Sequence, residues 1–520
     1  MDRLENTIRP YAWGSTTALP WLLGTEPTGE PQAELWMGAH PSAPSRVLRD
    51  AEPRPLSEVI AADPERELGP RVLNAFGPRL PFLLKVLAAA APLSLQVHPD
   101  RERAREGFED EERRGLPRDA PDRNYPDSGH KPELVCALTE FEGLCGFRPA
   151  AEAAELLAAL NVDGLTPYVD ILRATPERGA LREVLTAVLT ADRAEIAVTV
   201  AEAAAAAERL AGPAADGERE AEDARAVDDV DEVRDVRDGP EARHLPDAPD
   251  ETPRTTADTA FVPPDPVDPR RPDAPEAWPG APGAFRTAPA PGEITPAPAG
   301  PPDAVPFGAS PPLAAPPTGE ADPHSGEATP RTAPTAPHAR AYAAYADIAR
   351  HHPGDPGVIA AMLLNHVRLQ PGEALYLGAG VPHAYLRGLG VEIMASSDNV
   401  LRCGLTPKHV DVAELLRVVR FDPAPPRVRR PEATPDGEER YDTPAEEFRL
   451  SRLVLAPGAA PRELRAPTPQ ILLCTAGSPR VTGADGAELT LGRGQSVYVR
   501  PDEPLAVSGG GTLFRATVAV

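Results

Sequence analysis

Four residues of this 520-residue chain could together hold a metal ion: Gln96 and His98, two positions apart, and the more distant Glu133 and His383. They supply two imidazoles, a carboxylate and an amide oxygen. That donor set suits a borderline divalent cation such as zinc and leaves room for water or substrate in the shell. Taken singly, each histidine is more simply a buried, hydrogen-bonded side chain, and only the joint pattern points to a metal. The lysines stand out in a second way. Of 53 basic residues only Lys85, Lys131 and Lys408 are lysine. A compact ammonium grips phosphate as a point charge and shifts its pKa readily on burial; chance retention of a rare residue is the plainer alternative.

These side chains need particular elements to position them. From Leu93 to His98 apolar and polar residues alternate, so a strand would send Leu93, Leu95 and Val97 to one face and Ser94, Gln96 and His98 to the other. Lys131 and Glu133 precede the apolar run Leu134-Val135-Cys136-Ala137-Leu138, and a strand starting there would project both to the same side. Gly378-Ala379-Gly380 permits a sharp turn, and Pro382 pushes Val381 to an extended conformation, aiming His383 from the start of the next strand. Ser396 to Arg402 reads as a tight polar turn, and Thr406-Pro407-Lys408 as the start of a helix.

The surrounding chain changes character three times. Residues 1 to about 145 read as mostly β. Within them lie short helices at Leu56–Ala62 and Glu65–Phe76, a strand at Leu80–Leu87 bearing Lys85, and a charged, solvent-facing loop from Asp100 to Asp127. Ala151–Leu160 and Leu181–Leu210 carry apolar residues at helical spacing. Between Pro213 and Pro337 fall 28 of the 67 prolines, a composition predicting disorder. Helix resumes at about Ala339 to His352, and again after Asp355 and Pro356, an N-cap followed by a first-position proline, to about Leu364. Strands return at about Leu369. From about Phe421 onward, short strands and turns predict a further β-sandwich; it contains no histidine, which excludes a second imidazole site there.

Composition excludes other classes. The net charge is −26. Residues 213–338 hold 25 acidic residues against 10 arginines, a net −15, and no basic stripe suits nucleic acid. The amino-terminal residues lack the apolar core of a signal peptide, and no uninterrupted apolar stretch suits a membrane span. Four cysteines without CxxC spacing fit a reducing compartment. A soluble, cytoplasmic protein is expected. His40, His351, His352 and His366 are assigned to structure because no partner pattern surrounds them.

The segments QVHPD, GHKPE, GVPHAYL and SSDNVLRCGLTPKH, with YAWG, ELWMGAHPS and PFLLKVL ahead of them, resemble the type I mannose-6-phosphate isomerase family in order and in detail, from Asp2 to at least His409. The turn before His383 is similar to a cupin motif, with Gly378 where that motif usually has proline. The resemblance implies a mainly β fold: cupin jelly-roll barrels with an inserted α-helical domain carrying a long disordered insert. The implied domains are 1–148 and 365–420 for the catalytic cupin, 149–364 for the helical domain with its insert at 212–338, and 421–520 for a C-terminal β-sandwich without a metal site.

It further implies one Zn2+ per chain on Gln96, His98, Glu133 and His383, and conversion of mannose 6-phosphate to fructose 6-phosphate through a cis-enediol. Glu392, Asp398 and Lys131 are candidates for the proton-transfer base. Arg402 would stabilise developing negative charge. Lys85, Ser94 and Lys408 would hold the phosphate or sugar hydroxyls, with Trp13 and Glu34 at the rim. The partner is a small phosphosugar, with no nucleic acid and no membrane, and a monomer is expected. Each residue has a plainer role as well: Glu392 an exposed strand residue, Asp398 a turn cap, Arg402 a structural partner of Asp398, Lys408 an ordinary helix-start charge. The competing classes are a sugar-phosphate-binding cupin without catalysis and a metal-dependent oxygenase on the same fold; the oxygenase would favour two histidines and one carboxylate, without Gln96.

Overall fold

The strand His383–Ala395 runs through the centre of the site-bearing sheet. Its first residues pair with Leu95–Val97 and Phe141–Phe147, and its later ones with Phe82–Ala89 and Glu133–Ala137. Between the two halves the register shifts at Tyr385/Arg387, and Gly388 takes φ +123°. A Cβ there would lie 2.6 Å from the carbonyl oxygen of Glu140. Only glycine tolerates both the conformation and the close approach, so the bend that lets one strand serve two sets of neighbours is written into that position.

The computed structural model describes residues 1–49, 52–174, 177–212 and 336–520. Strands dominate, with helices gathered mainly between Phe147 and Leu364. An 11-stranded antiparallel sheet carries, in order along its main path, Val428–Arg429, Ala374–Leu377, Glu133–Ala137, His383–Ala395, Phe82–Ala89, Glu34–Gly38 and Thr7–Arg9. Phe82–Ala89 is buried on both faces. Phe82, Leu84 and Val86 pack towards Ile471, Leu473 and Phe514, whereas Leu87 and Ala89 join Val135, Phe141 and Leu375 on the opposite side. Fully burying such a side chain contributes about 1.5–3 kcal/mol. Lys85 falls on the second side, inside, by the alternation of the strand.

A nine-stranded sheet supplies those packing partners, and a four-stranded sheet contributes Val481 and Val507 to a further core with Leu453, Leu472 and Leu513. The nine-stranded sheet also contains Asp2–Glu5, paired with Ser496–Val499, and Arg46–Leu48. The expected boundaries at 1–148 and 421–520 therefore cut across one sheet.

Several expected elements differ. The stretch Asp100–Asp127 is not all loop: Arg101–Arg113 is a helix capped by Asp100, whose carboxylate accepts from the Arg103 amide at 2.8 Å. Its buried face is only Ala104, Gly107 and Glu111, too slight to show through the charges. The helical run expected from Leu181 to Leu210 is two helices, Glu177–Thr190 and 193–212, divided where Asp192 accepts from the Ala194 amide at 2.9 Å. Thr166–Ala174 is a further helix. Glu65–Phe76 belongs to Pro64–Phe76, broken at Gly69-Pro70. Helix resumes at Ala336, and Leu364–Leu369 is already a strand. Thr406 to Lys408 forms a bend, with the helix delayed to Val412–Val418 under an Asp411 cap. Most of the segment expected to be disordered, 213–335, lies outside the described residues.

Candidate metal centre

Strand register brings the separated donors together. His383 lies opposite Gln96, and Gln96 lies opposite Arg402 on its other side. Directly opposed residues of antiparallel strands share a face, so these three are side by side. Glu133 opens its strand opposite Leu377 and Met394, and His98 follows Leu95–Val97. Glu133 Oε1 lies 3.4 Å from His98 Nε2, and Oε2 lies 3.4 Å from His383 Nε2. One ligand atom from each residue falls within 4.8 Å of the others, and all three residues are buried.

Both imidazoles are held from behind. His98 Nδ1 donates to the Asn399 carbonyl at 2.8 Å, and His383 Nδ1 to the Val381 carbonyl at 2.9 Å. A carbonyl only accepts, so each ring carries a proton on Nδ1 and points its Nε2 at Glu133. His98 Nε2 is buried with no hydrogen-bond partner. Burial pushes the His98 pKa down to about 4. For Glu133 burial works towards a higher pKa, but the Lys131 ammonium, 3.1 Å away, and the imidazoles outweigh it and hold the carboxylate well below its ordinary value. A neutral His98 beside an ionised Glu133 matches the protonation states that a zinc-like ion requires. The residues present fit such an ion, and Gln96 lies opposite His383 in the neighbouring strand.

Beside this cluster runs a buried chain of charges. Tyr385 donates to Glu392 Oε1 at 2.9 Å, Lys85 Nζ lies 3.3 Å from Glu392 Oε2 and 3.5 Å from Glu34 Oε1, and Trp36 Nε1 donates to Glu34 Oε2 at 2.7 Å. Burial opposes the Lys85 charge, but Glu34, Glu392 and Glu133 outweigh it and raise its pKa. The pKa of Glu392 is raised as well, which disfavours its charge: burial is the main cause and Lys85 offsets it only in part. Glu392 is thus no exposed strand residue, and Glu34 lies in the interior at 6 % exposure rather than at a rim.

The remaining candidates take varied positions. The Asp398 side chain is 60 % exposed, and its carboxylate lies 3.3 Å from His40 Nε2, the contact that chiefly lowers its pKa. Asp398 does not pair with Arg402, and His40, expected to be without a partner pattern, has one. Arg402 is half-buried with no anionic partner among the described residues, and desolvation lowers its pKa. Lys408 is exposed, Ser94 is half-buried, and Trp13 stacks on Tyr11 with ring centroids 5.7 Å apart. Leu93 packs with Leu87 and Phe141, apart from Leu95 and Val97, which face the helices; the six-residue alternation overran a three-residue strand. Sequence reasoning missed Tyr385, Asp127 and Asn399. Tyr385 is signalled only by standing two residues after His383 on one strand; Asp127 and Asn399 carry no local pattern.

Residues 1–150 match the model of the phosphomannose isomerase type I catalytic domain. Mannose-6-phosphate isomerase of Escherichia coli is 31 % identical over 519 residues, covering 99 % of this chain and 99 % of that protein. The enzyme of Rattus norvegicus is 26 % identical, covering 96 % and 93 %. Among solved structures, a mannose 6-phosphate isomerase bound with zinc and yttrium is similar at TM-score 0.69 and 29 % identity, covering 100 % of both chains. A phosphomannose isomerase mutant from Salmonella typhimurium is similar at TM-score 0.70 and 29 % identity, again over 100 % of both. Fold and site thus define an isomerase of mainly β architecture with a candidate metal centre. The chain belongs to the type I mannose-6-phosphate isomerase family.

Proposed function

We propose that the chain interconverts mannose 6-phosphate and fructose 6-phosphate by proton transfer between C1 and C2 through a cis-enediol. The observation that carries this reading is the buried Glu133 set between two inward-facing Nε2 atoms, one of them without a hydrogen bond. One zinc ion per chain on Gln96, His98, Glu133 and His383 would supply Lewis acidity to polarise the sugar oxygens.

Glu392 is the base we favour. Its raised pKa lies nearer the working range of a proton carrier, and Tyr385 and Lys85 fix both of its oxygens. Asp398, held low by His40, is the poorer acceptor, and Lys131 is engaged with Glu133. In the forward direction Glu392 takes the proton from C2 and returns it to C1, while a hydroxyl proton moves from O2 to O1. Arg402, without an anionic partner among the described residues, would meet the negative charge that develops on the oxygens. Lys85 serves the buried carboxylates; exposed Lys408 is free to meet the phosphate, with Ser94 and Trp13 contributing to the sugar's surroundings.

The turn into His383 and the antiparallel strands around it support reading the larger sheet as a cupin jelly-roll, interrupted by the helices between Phe147 and Leu364. Four buried free cysteines support a reducing, cytoplasmic setting, and among the described residues no helix is long and apolar enough to cross a membrane. We read the enzyme as a monomer.

The test is a coupled assay for fructose 6-phosphate with mannose 6-phosphate as substrate, run on metal-replete protein, after chelation, and after zinc is returned. Activity that disappears and comes back is expected. No turnover by replete protein would sink the isomerase assignment, and chelator-insensitive turnover would sink the metal's part in it.

A further inference from the structure

The loop that carries Lys131 and Glu133 is clasped to the turn behind His98 by one side chain. Asn399 is fully buried. Its Nδ2 donates to the carbonyls of Asp127 and Gly129, each at 2.7 Å, and its Oδ1 accepts from the Asp127 amide at 3.3 Å. Its own backbone carbonyl is the group that accepts from His98 Nδ1. Both amide hydrogens and the amide oxygen are thereby engaged, the condition under which a buried carboxamide specifies one arrangement.

The clasp is reciprocal. Asp127 Oδ2 accepts from the Asp398 amide at 2.7 Å and from Ser397 Oγ at 3.2 Å, while Oδ1 accepts from the Gly129 amide at 2.7 Å. The fit leaves no slack at Gly129, where a Cβ would lie 2.9 Å from Asp127 Oδ1 and 3.4 Å from the Ser397 Cβ. Four residues beyond Gly129 the same loop delivers Glu133, so one amide fixes both the partner of an imidazole and the approach of the carboxylate.

We propose that Asn399 is the positioning residue of the centre: its carboxamide couples the orientation of His98 to the placement of Lys131 and Glu133. Partners that orient metal-binding side chains set affinity as well as geometry, and their loss weakens metal binding roughly 10–100-fold. Asn399→Asp keeps the shape but aims a carboxylate oxygen at two carbonyls that now receive a donor. The inference rests on the metal reading above.

Zinc affinity is to be measured by competition with a chromogenic chelator, beside the zinc-dependent rise in unfolding midpoint and kcat and KM at saturating zinc. In Asn399→Asp, zinc binding weakened roughly 10–100-fold and kcat reduced even at saturating zinc are expected. A variant that loses midpoint in the metal-free state yet binds zinc like the unaltered chain shows a merely structural latch and overturns the proposal. Should Asn399→Asp fail to fold, Asp127→Ala decides from the half-exposed side of the clasp: severalfold weaker zinc binding supports the coupling, and unchanged binding overturns it. If the unaltered chain neither binds zinc nor gains stability from it, the metal reading itself falls, and the role of Asn399 with it.

Discussion

Lys85 is a buried ammonium set among carboxylates, and its removal tests how the site's charges hold one another. Lys85→Ala leaves Glu34 and Glu392 buried without their cation. Breaking a buried pair in this way costs about 3–5 kcal/mol, to be read from urea unfolding. The penalty is largest where both carboxylates are ionised and shrinks as pH falls through the raised pKa of Glu392. A loss independent of pH would contradict the ion-pair account. For catalysis the sign is the opposite. Activity should fall on the acid side as Glu392 takes up a proton, at a pH above that of an ordinary carboxylate, and Glu392→Gln should lower kcat by roughly 10²–10⁴ and remove that limb. An unchanged profile in Glu392→Gln would return the base assignment to Asp398 or Lys131.

Among the elements, His383–Ala395 does the joining, and Gly388 is where it can be broken. Gly388→Val forces a branched side chain into φ +123° and against the Glu140 carbonyl. A strained residue costs about 1–3 kcal/mol, and here the clash adds to it; a clear drop in thermal midpoint, with weaker zinc binding, is expected. Full stability in the variant would show that the bend is not needed. Sequence disclosed the strands around His98, Glu133 and His383 because their apolar residues alternate or run unbroken. It did not disclose Arg101–Arg113, where charges cover a slender buried face, nor the break at Asp192, where a cap interrupts an otherwise uniform helical composition. The grouping of His98, Glu133 and His383 as candidate donors was legible by residue type. Tyr385, His40, Asp127 and Asn399 were not, because their partners lie across strands or in distant turns and leave no spacing to read.

At the scale of the molecule, the nine-stranded sheet binds the chain's two ends. Asp2 lies opposite Tyr498, and Arg49 holds both Asp2 and Glu67, at 2.8 Å each. Removing 421–520 would strip Asp2–Glu5 of one of its two neighbours and expose the faces of Phe82, Leu84 and Val86. The shortened chain 1–420, although it keeps every candidate ligand, should lack a cooperative unfolding transition by near-ultraviolet circular dichroism. A soluble, fully active 1–420 would show that the second sheet is dispensable.

That pairing has a consequence for how the protein is made. Asp2–Glu5 finds the second of its two hydrogen-bonding neighbours, Ser496–Val499, only after the whole stretch between them has been made. Until then Leu4 and the apolar face of Phe82–Ala89 have no complete wall to pack on. Contacts so distant in sequence slow folding, and the interval leaves apolar surface open to association between nascent chains. The hundred residues that contribute no candidate ligand thus govern when the site can be assembled.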